Sequence, residues 1–254
     1  MRKVIVHKDH EDASMAAAQL LLDRVAAHPA MEFHLGLSGG STPRRLLELL
    51  AGEPFRSQMP WGDLRFWFAD ERAAPPDSPL SNFRQAEELL FAPLEIPRRH
   101  VLRIPAQRGA AQAAAIYDEL MTERFGALPD AEGLDMVLLG MGADGHTASL
   151  FPGHAALERP DPPDAWAVAV EDLPTLPDPG APYQQGAAEG LDRVSLSLAA
   201  LNASACAVLL VTGAAKSEAL AEALRTAGAS SPLPAGRVAA RETIWIVDQE
   251  AQGR

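Results

Sequence analysis

One cysteine, Cys206, stands in the whole 254-residue chain, so no intrachain disulfide framework can form. It lies inside the apolar run from Ala205 to Val211 and reads as a core residue, which fits a reducing compartment. Long hydrophobic runs are missing too. No stretch approaches the length that crosses a bilayer, and the N-terminal residues lack the apolar centre of a signal peptide, so a cytoplasmic protein without a membrane partner is expected. Positive charge is scarce: 22 Lys and Arg face 34 Asp and Glu, a formal net charge of -12. A phosphate polymer needs a basic face, which argues against nucleic acid as a partner, and a small anionic ligand would need locally clustered cations. Histidine pairs such as His7 with His10, or His146 with His154, have no thiolates or further histidines at ligand spacing, so no metal is expected.

What is present is an alternation of short apolar runs with helical patterns. Strands are expected over Lys3 to His7, Phe33 to Leu37, Leu64 to Ala69, Val101 to Ile104, the run after Asp135, Trp166 to Val170, Arg193 to Leu198, Ala205 to Thr212 and Thr243 to Val247. Helices are expected over Glu11 to His28, Arg44 to Leu50, Asn82 to about Phe91 with Asn82 as cap and Gln85 as its reciprocal partner, Gly109 to Phe125, and in Gly213 to Leu224. This pattern implies an α/β fold: an open, mostly parallel, Rossmann-like sheet with helices on both faces, in a single domain spanning 1–254. The Pro- and Gly-rich segment from Glu171 to Asp192 reads as a long irregular loop.

The chain is organised around Asp135 to Gly153. An apolar strand ends there and breaks at Gly140, Gly142 and Gly145 around Asp144 and His146, placing a carboxylate and an imidazole where open α/β sheets bind ligands. The three glycines satisfy the dinucleotide pattern G-x-G-x-x-G, but Pro152 and Gly153 leave no room for the long helix it needs, and Glu158 lies in no convincing strand. Ser38-Gly39-Gly40-Ser41-Thr42-Pro43 reads as a glycine turn entering a helix, with Thr42 as N-cap and Pro43 as first helical residue, so amides and the positive helix end face whatever sits above. Asp70-Glu71-Arg72 follows the third strand and reads equally well as a salt-bridged loop or a ligand contact. Lys216, in the first turn after Gly213, is either a solvated surface lysine or an ammonium meeting a phosphate; the glycine-to-lysine spacing is wrong for a Walker A loop.

These motifs, together with Ser81-Asn82, Arg193-Val-Ser-Leu-Ser-Leu, Leu201-Asn202, and Leu233-Pro234-Ala235 with Arg237-Val238, fall in an order that closely resembles the 6-phosphogluconolactonases. A related group, the glucosamine-6-phosphate deaminases, has a similar Asp-Gly-His turn, but carries a tyrosine after Asp-Glu and an Asn-Glu-Pro run after the histidine. Arg72 and Ser149 to Pro152 stand at those places here. The resemblance implies hydrolysis of 6-phospho-D-glucono-1,5-lactone without metal or cofactor, with His146 as general base and Asp144 orienting it. Gly39, Gly40, Ser41, Thr42, Asp70, Arg72, Arg193 and Lys216 would then be the substrate contacts. The amides of the Gly39-Gly40 turn or of the Gly142 loop are the candidate oxyanion donors. The expected partner is a small phosphorylated sugar lactone, and the chain is expected to be a monomer. The alternatives are a deaminase/isomerase-like enzyme and a non-catalytic sugar-phosphate sensor on the same fold. Ala69 replaces a glycine common before Asp-Glu-Arg, and the stretch from Leu173 to Leu191 is longer than in most relatives.

Overall fold

A computed structural model describes residues 1–28, 32–158, 160, 164–173 and 191–253. Its strands are β1 (Arg2–His7), β2 (Phe33–Leu37), β3 (Leu64–Phe68), β4 (Asp70–Arg72), β5 (Val101–Leu102), β6 (Met136–Leu139), β7 (Ala167–Val170), β8 (Arg193–Leu196), β9 (Cys206–Val211) and β10 (Glu242–Asp248). Seven of them form one parallel sheet in the order β1-β10-β9-β6-β2-β3-β5. Strands β2, β6 and β9 are buried along their whole length, as unbroken apolar runs in a parallel sheet should be.

The two faces are covered by different helices. On β3, Phe66 and Phe68 pack edge-on against Phe91, with ring centroids 5.0 and 6.4 Å apart. Trp67, between them, points the other way to Tyr117 and Phe125 on the helix Ala110–Phe125, at 5.9 and 5.3 Å. The Tyr117 hydroxyl accepts from the Phe68 amide at 2.8 Å, tying that helix to the end of the strand.

The antiparallel strands separate into a second small sheet, β4-β8-β7, where one mostly parallel sheet was expected. Ala69 is the crossing point. Its amide donates to Leu37 O at 2.8 Å, continuing the parallel ladder, and its carbonyl accepts from Leu196 N at 2.7 Å, opening the second one. Asp70–Arg72 is therefore a strand and not a loop. Its sequence carried no apolar alternation because the side chains serve polar networks.

Three helix starts also differ from expectation. Helix α1 (His10–Ala26) is capped by Asp9, which accepts from Asp12 N at 2.9 Å. Helix α2 (Ser41–Ala51) begins before Thr42, with Gly40 as N-cap at φ 115, a backbone setting that side chains rarely adopt, and with no side-chain cap. In the helix Asn82–Ala86 the cap is Ser81, which accepts from Arg84 N at 3.2 Å, and the chain continues as a π-helical turn over Glu87–Phe91. Gln85 closes no capping box because its amide is used elsewhere, on Gly40.

From β2 the chain moves outward to β3 and β5, whereas from β6 it moves the other way to β9 and β10. Neighbours β2 and β6 thus flank the point where the strand order reverses, and in open α/β sheets it is above the carboxyl ends at such a point that ligands bind. The turns after both strands are the glycine segments singled out above.

The small sheet is anchored by Glu71, which is 3% exposed. One of its carboxylate oxygens accepts from the Arg72 and Asn82 amides at 2.8 and 2.7 Å, and the other accepts from Ser81 Oγ and the Phe83 amide at 2.9 and 2.8 Å. Burial pushes this carboxyl up from its ordinary range while the donors and Arg72 pull it back. In Glu71→Gln one oxygen becomes an NH2 group facing two donors, so urea denaturation should show a loss of about 2 kcal/mol. An unchanged midpoint would mean that the clamp contributes nothing.

Candidate active site

Beyond β6 the chain folds back on itself within a few residues. Gly145 N donates to Gly142 O at 3.0 Å, Gly142 N to His146 O at 2.9 Å, and Thr147 Oγ1 to Gly140 O at 2.8 Å. Asp144 and His146 meet inside this loop: Asp144 Oδ1 accepts from the His146 amide at 3.1 Å and lies 2.5 Å from His146 Nδ1. With Nδ1 carrying the proton toward the carboxylate, Nε2 presents its lone pair outward. Burial pushes the Asp144 carboxyl up, but the hydrogen bond and charge of His146 outweigh it and hold the group below the usual carboxylate range. Asp144 is thus an anion at neutral pH.

Gly142 is required for this arrangement. A Cβ there would lie 2.2 Å from His146 Cε1 and Nδ1 and 2.6 Å from Asp144 Oδ1, so the imidazole and carboxylate rest directly on its Cα. Gly145, at φ 80, packs against Leu233, and its carbonyl accepts from Ala235 N at 3.1 Å, so the Leu233-Pro234-Ala235 run supports the loop from below. Glu158, weighed above as a ribose ligand, pairs with Arg237 at 2.9 Å, and only the short helix Ala155–Glu158 follows the glycines. The loop has no dinucleotide architecture.

Across the crevice, Gln85 holds the glycine turn from both sides. Its Oε1 accepts from Gly40 N at 3.0 Å and its Nε2 donates to Gly40 O at 2.9 Å. Asn82 covers Gly39 so closely that a Cβ there would lie 1.9 Å from its Oδ1. The Gly40 and Gly142 amides, both candidates for an oxyanion hole, are therefore already engaged within the protein. The leading turn of α2 has no side-chain cap and stands at the carboxyl edge of β2, with Ser41 exposed and Thr42 buried.

The cations fall into two groups. Lys216 is no solvated surface residue: its Nζ donates to Thr42 Oγ1 at 3.0 Å, and Thr42 Oγ1 lies 3.4 Å from Thr212 Oγ1. Burial pushes this amine down to about 8, against the opposing pull of Asp248, whose carboxylate accepts from Gly213 N and Ala251 N. Arg72 and Arg193 form the other group, directly opposite each other in the β4-β8 ladder. Arg72 Nη1 donates to Leu80 O at 2.7 Å. Arg193 is 5% exposed, lies over the Phe151 ring at 5.4 Å, and is pushed down to about 10 by burial and by Arg72. Phe151 also packs on the His146 imidazole, centroid to centroid at 4.7 Å.

Asp70, expected among the substrate contacts, is buried, with Oδ2 accepting from Ser149 Oγ at 2.6 Å and Oδ1 from Asn82 Nδ2 at 3.1 Å. It joins the loop of His146 to the cover of the glycine turn. Sequence reasoning missed Thr212, Asp248 and Phe151 as parts of the site. Thr212 and Asp248 stand at the carboxyl ends of β9 and β10, so the rule that drew attention to Asp70 could have found them. Most of the segment from Leu173 to Leu191 lies outside the described residues.

A model of one protein family, glucosamine-6-phosphate isomerases/6-phosphogluconolactonase, matches residues 8–245. The chain belongs to this family. A 6-phosphogluconolactonase of Haemophilus influenzae is 31% identical over 249 residues, covering 94% of this chain and 97% of its own. One from Treponema pallidum is 36% identical, covering 84% of this chain and 80% of its own. A crystal structure of 6-phosphogluconolactonase from Thermotoga maritima superposes with a TM-score of 0.77 at 26% identity, covering 98% of this chain and 100% of that one. Among the described residues no helix is long and apolar enough to cross a membrane.

Lys216 supplies a pH test of the site. Its folded value of about 8 lies below the ordinary lysine range, so the amine keeps its charge below that pH and loses it as pH rises through it. Oxyanion binding should weaken over the same interval, as measured by phosphate titration calorimetry. Asp248→Asn should move the transition lower, because the carboxylate favours the ammonium; a transition unmoved by that change would separate the two groups.

Proposed function

We propose that this chain works as one α/β domain over residues 1–254 and hydrolyses 6-phospho-D-glucono-1,5-lactone to 6-phospho-D-gluconate. The observation that carries the reading is the Asp144–His146 pair at 2.5 Å, held at the reversal point of the sheet with Nε2 unbonded to the described residues. Nε2 takes a proton from water as its oxygen attacks the lactone carbonyl carbon. The bond to the ring oxygen then breaks, and the same proton is delivered to that oxygen. Asp144 keeps Nδ1 protonated throughout, so one tautomer serves both halves of the reaction. The phosphate meets Lys216, Thr42 and Ser41 at the uncapped start of α2, where amides and the helix dipole add to the ammonium.

A sugar-phosphate sensor would need the cations but not a base oriented by a carboxylate. A deaminase or isomerase must withdraw a proton from carbon and return it elsewhere, whereas a lactonase only adds water to an activated ester. Arg72 in place of tyrosine, and Ser149 to Pro152 in place of Asn-Glu-Pro, favour the lactonase. The substrate is a small phosphorylated lactone, and a single chain carries every group named. A cytoplasmic location fits Cys206, a buried thiol pushed up to about 11 by burial.

His146→Ala should retain the fold by circular dichroism and lower lactone hydrolysis by about 100-fold or more. Gly142→Ala should cost on the order of 100-fold in kcat with little change in KM, since it displaces the base without touching the phosphate contacts. A coupled assay of acid release, run beside one of ammonia release from glucosamine 6-phosphate, checks both. Ammonia release without acid release would replace this reading with a deaminase.

A further inference from the structure

A buried guanidinium ordinarily has a hydrogen-bond acceptor, and among the described residues Arg193 has none. It is 5% exposed, its Nε is fully buried without a hydrogen-bond partner, and no carboxylate or carbonyl among the described residues bonds its other nitrogens. Its guanidinium lies over the face of Phe151 at 5.4 Å, with Asp70, Asp144 and Glu71 acting on it only as unbonded charges. Directly across the ladder stands Arg72, a second cation. Leaving a buried charged donor unmatched costs more than a typical hydrogen bond contributes, and a like charge alongside adds to the cost. A buried guanidinium so placed, with Arg72 itself bonded to Leu80 O, suits an anionic oxygen that arrives with the ligand.

Which oxygen it receives follows from position. Arg193 and His146 lie against the same ring, that of Phe151. The carboxylates that act on Arg193 are Asp70, Asp144 and Glu71, among them the partner of His146, whereas Asp248 is the charge that acts on Lys216. Lys216 is bonded into the start of α2 through Thr42, on the side of β9 and β10. The site therefore has one cation centre beside the base and another at the helix end, and the product of the proposed reaction has two anionic groups, a carboxylate and a phosphate.

Building on the lactonase reading, we propose that Arg193 is a catalytic residue at the acyl end of the site, donating to the carbonyl oxygen of the lactone and afterwards to the product carboxylate, while Lys216 serves the phosphate. As the oxygen of water bonds to the carbonyl carbon, the π pair moves onto the carbonyl oxygen and the water proton passes to His146 Nε2. Arg193 meets the charge that forms there. When the carbonyl is restored, the bond to the ring oxygen breaks and takes the proton from His146. The carboxylic acid formed then loses its proton to solvent and remains paired with the guanidinium. The amides of Gly40 and Gly142 are occupied within the protein, which leaves the Gly39 amide as the backbone donor that can act beside Arg193.

The test uses Arg193→Met and Lys216→Met on two substrates, the phosphorylated lactone and glucono-1,5-lactone without phosphate. Arg193→Met should lower kcat on both by about 100-fold, preserving their kcat/KM ratio and the inhibition constant of inorganic phosphate. Lys216→Met should collapse that ratio and weaken phosphate inhibition. Because Arg193 has no hydrogen-bond partner among the described residues, Arg193→Met should melt at or above the wild-type temperature. A ratio that collapses in Arg193→Met, together with weakened phosphate inhibition, would move Arg193 to the phosphate and overturn the proposal. A lowered melting temperature with unchanged kcat would make the residue structural. Wild-type protein inactive on both lactones would remove the lactonase reading itself, and this assignment with it.

Discussion

Two consecutive buried carboxylates, Asp70 and Glu71, hold the parts of this site in one frame. They alternate along β4, so each reaches a different network. Asp70 joins Asn82, which covers Gly39, to Ser149, three residues beyond His146. Glu71 gathers the amides and hydroxyl of the Ser81–Phe83 turn, which fixes Asn82 and, through the same short helix, Gln85 on Gly40. The glycine turn, the base loop and the Arg72–Arg193 ladder thus all refer back to one three-residue strand. Acceptor-only side chains suit this role because each oxygen can take two donors, and nearly every group they gather is an N–H or O–H. A hydrophobic strand in this place could bury area but could not fix three loops in register.

The second constraint is the absence of Cβ atoms at two points of close approach. Gly142 lets the dyad lie on the backbone, and Gly39 lets Asn82 do the same on the opposite wall. The φ values of Gly40 and Gly145 are a separate requirement, set by the turns themselves. His146 and the Gly39-Gly40 turn are therefore placed by backbone shape, which is rigid, and less by long side chains, which are not. Of the long side chains here, Arg193 is held by burial and Lys216 by its hydrogen bond to Thr42.

Much of this was legible in the sequence, for identifiable reasons. Each strand of the parallel sheet is a short apolar run, and β2 and β3 end in the polar and glycine residues that form the turns, so the elements and the carboxyl-edge placement of Gly39, Asp70, His146 and Lys216 followed from periodicity and topology rules. The register of β4 could not be read that way, because Asp-Glu-Arg has no alternation of polarity and pairs with β8 more than a hundred residues later. For the same reason Asp70 read as a ligand contact: its partners Asn82 and Ser149 are distant in sequence. Gln85 looked like a local capping residue because its actual partner, Gly40, is 45 positions away. Local pattern identifies elements and strand ends, while long-range polar pairing decides which residues face the ligand and which face one another.

The distribution of charge completes the physical picture. A protein of net charge -12 that binds a phosphorylated ligand must confine its cations, and here they are confined by burial. At physiological ionic strength the general negative field fades within about 8 Å, so it has little influence on a ligand already seated between Lys216 and Arg193. It acts on what leaves. Hydrolysis of a lactone turns a neutral ester into a carboxylate, so the product carries one more negative charge than the substrate and is repelled more strongly once outside the pocket. A further strong cation beside Lys216, Arg72 and Arg193 would deepen the well for the product more than for the substrate. On the proposed reading, amides and a helix dipole at the α2 end, with an amine held near 8, would bind phosphate without that penalty. The sparse use of positive charge thus serves turnover as well as recognition.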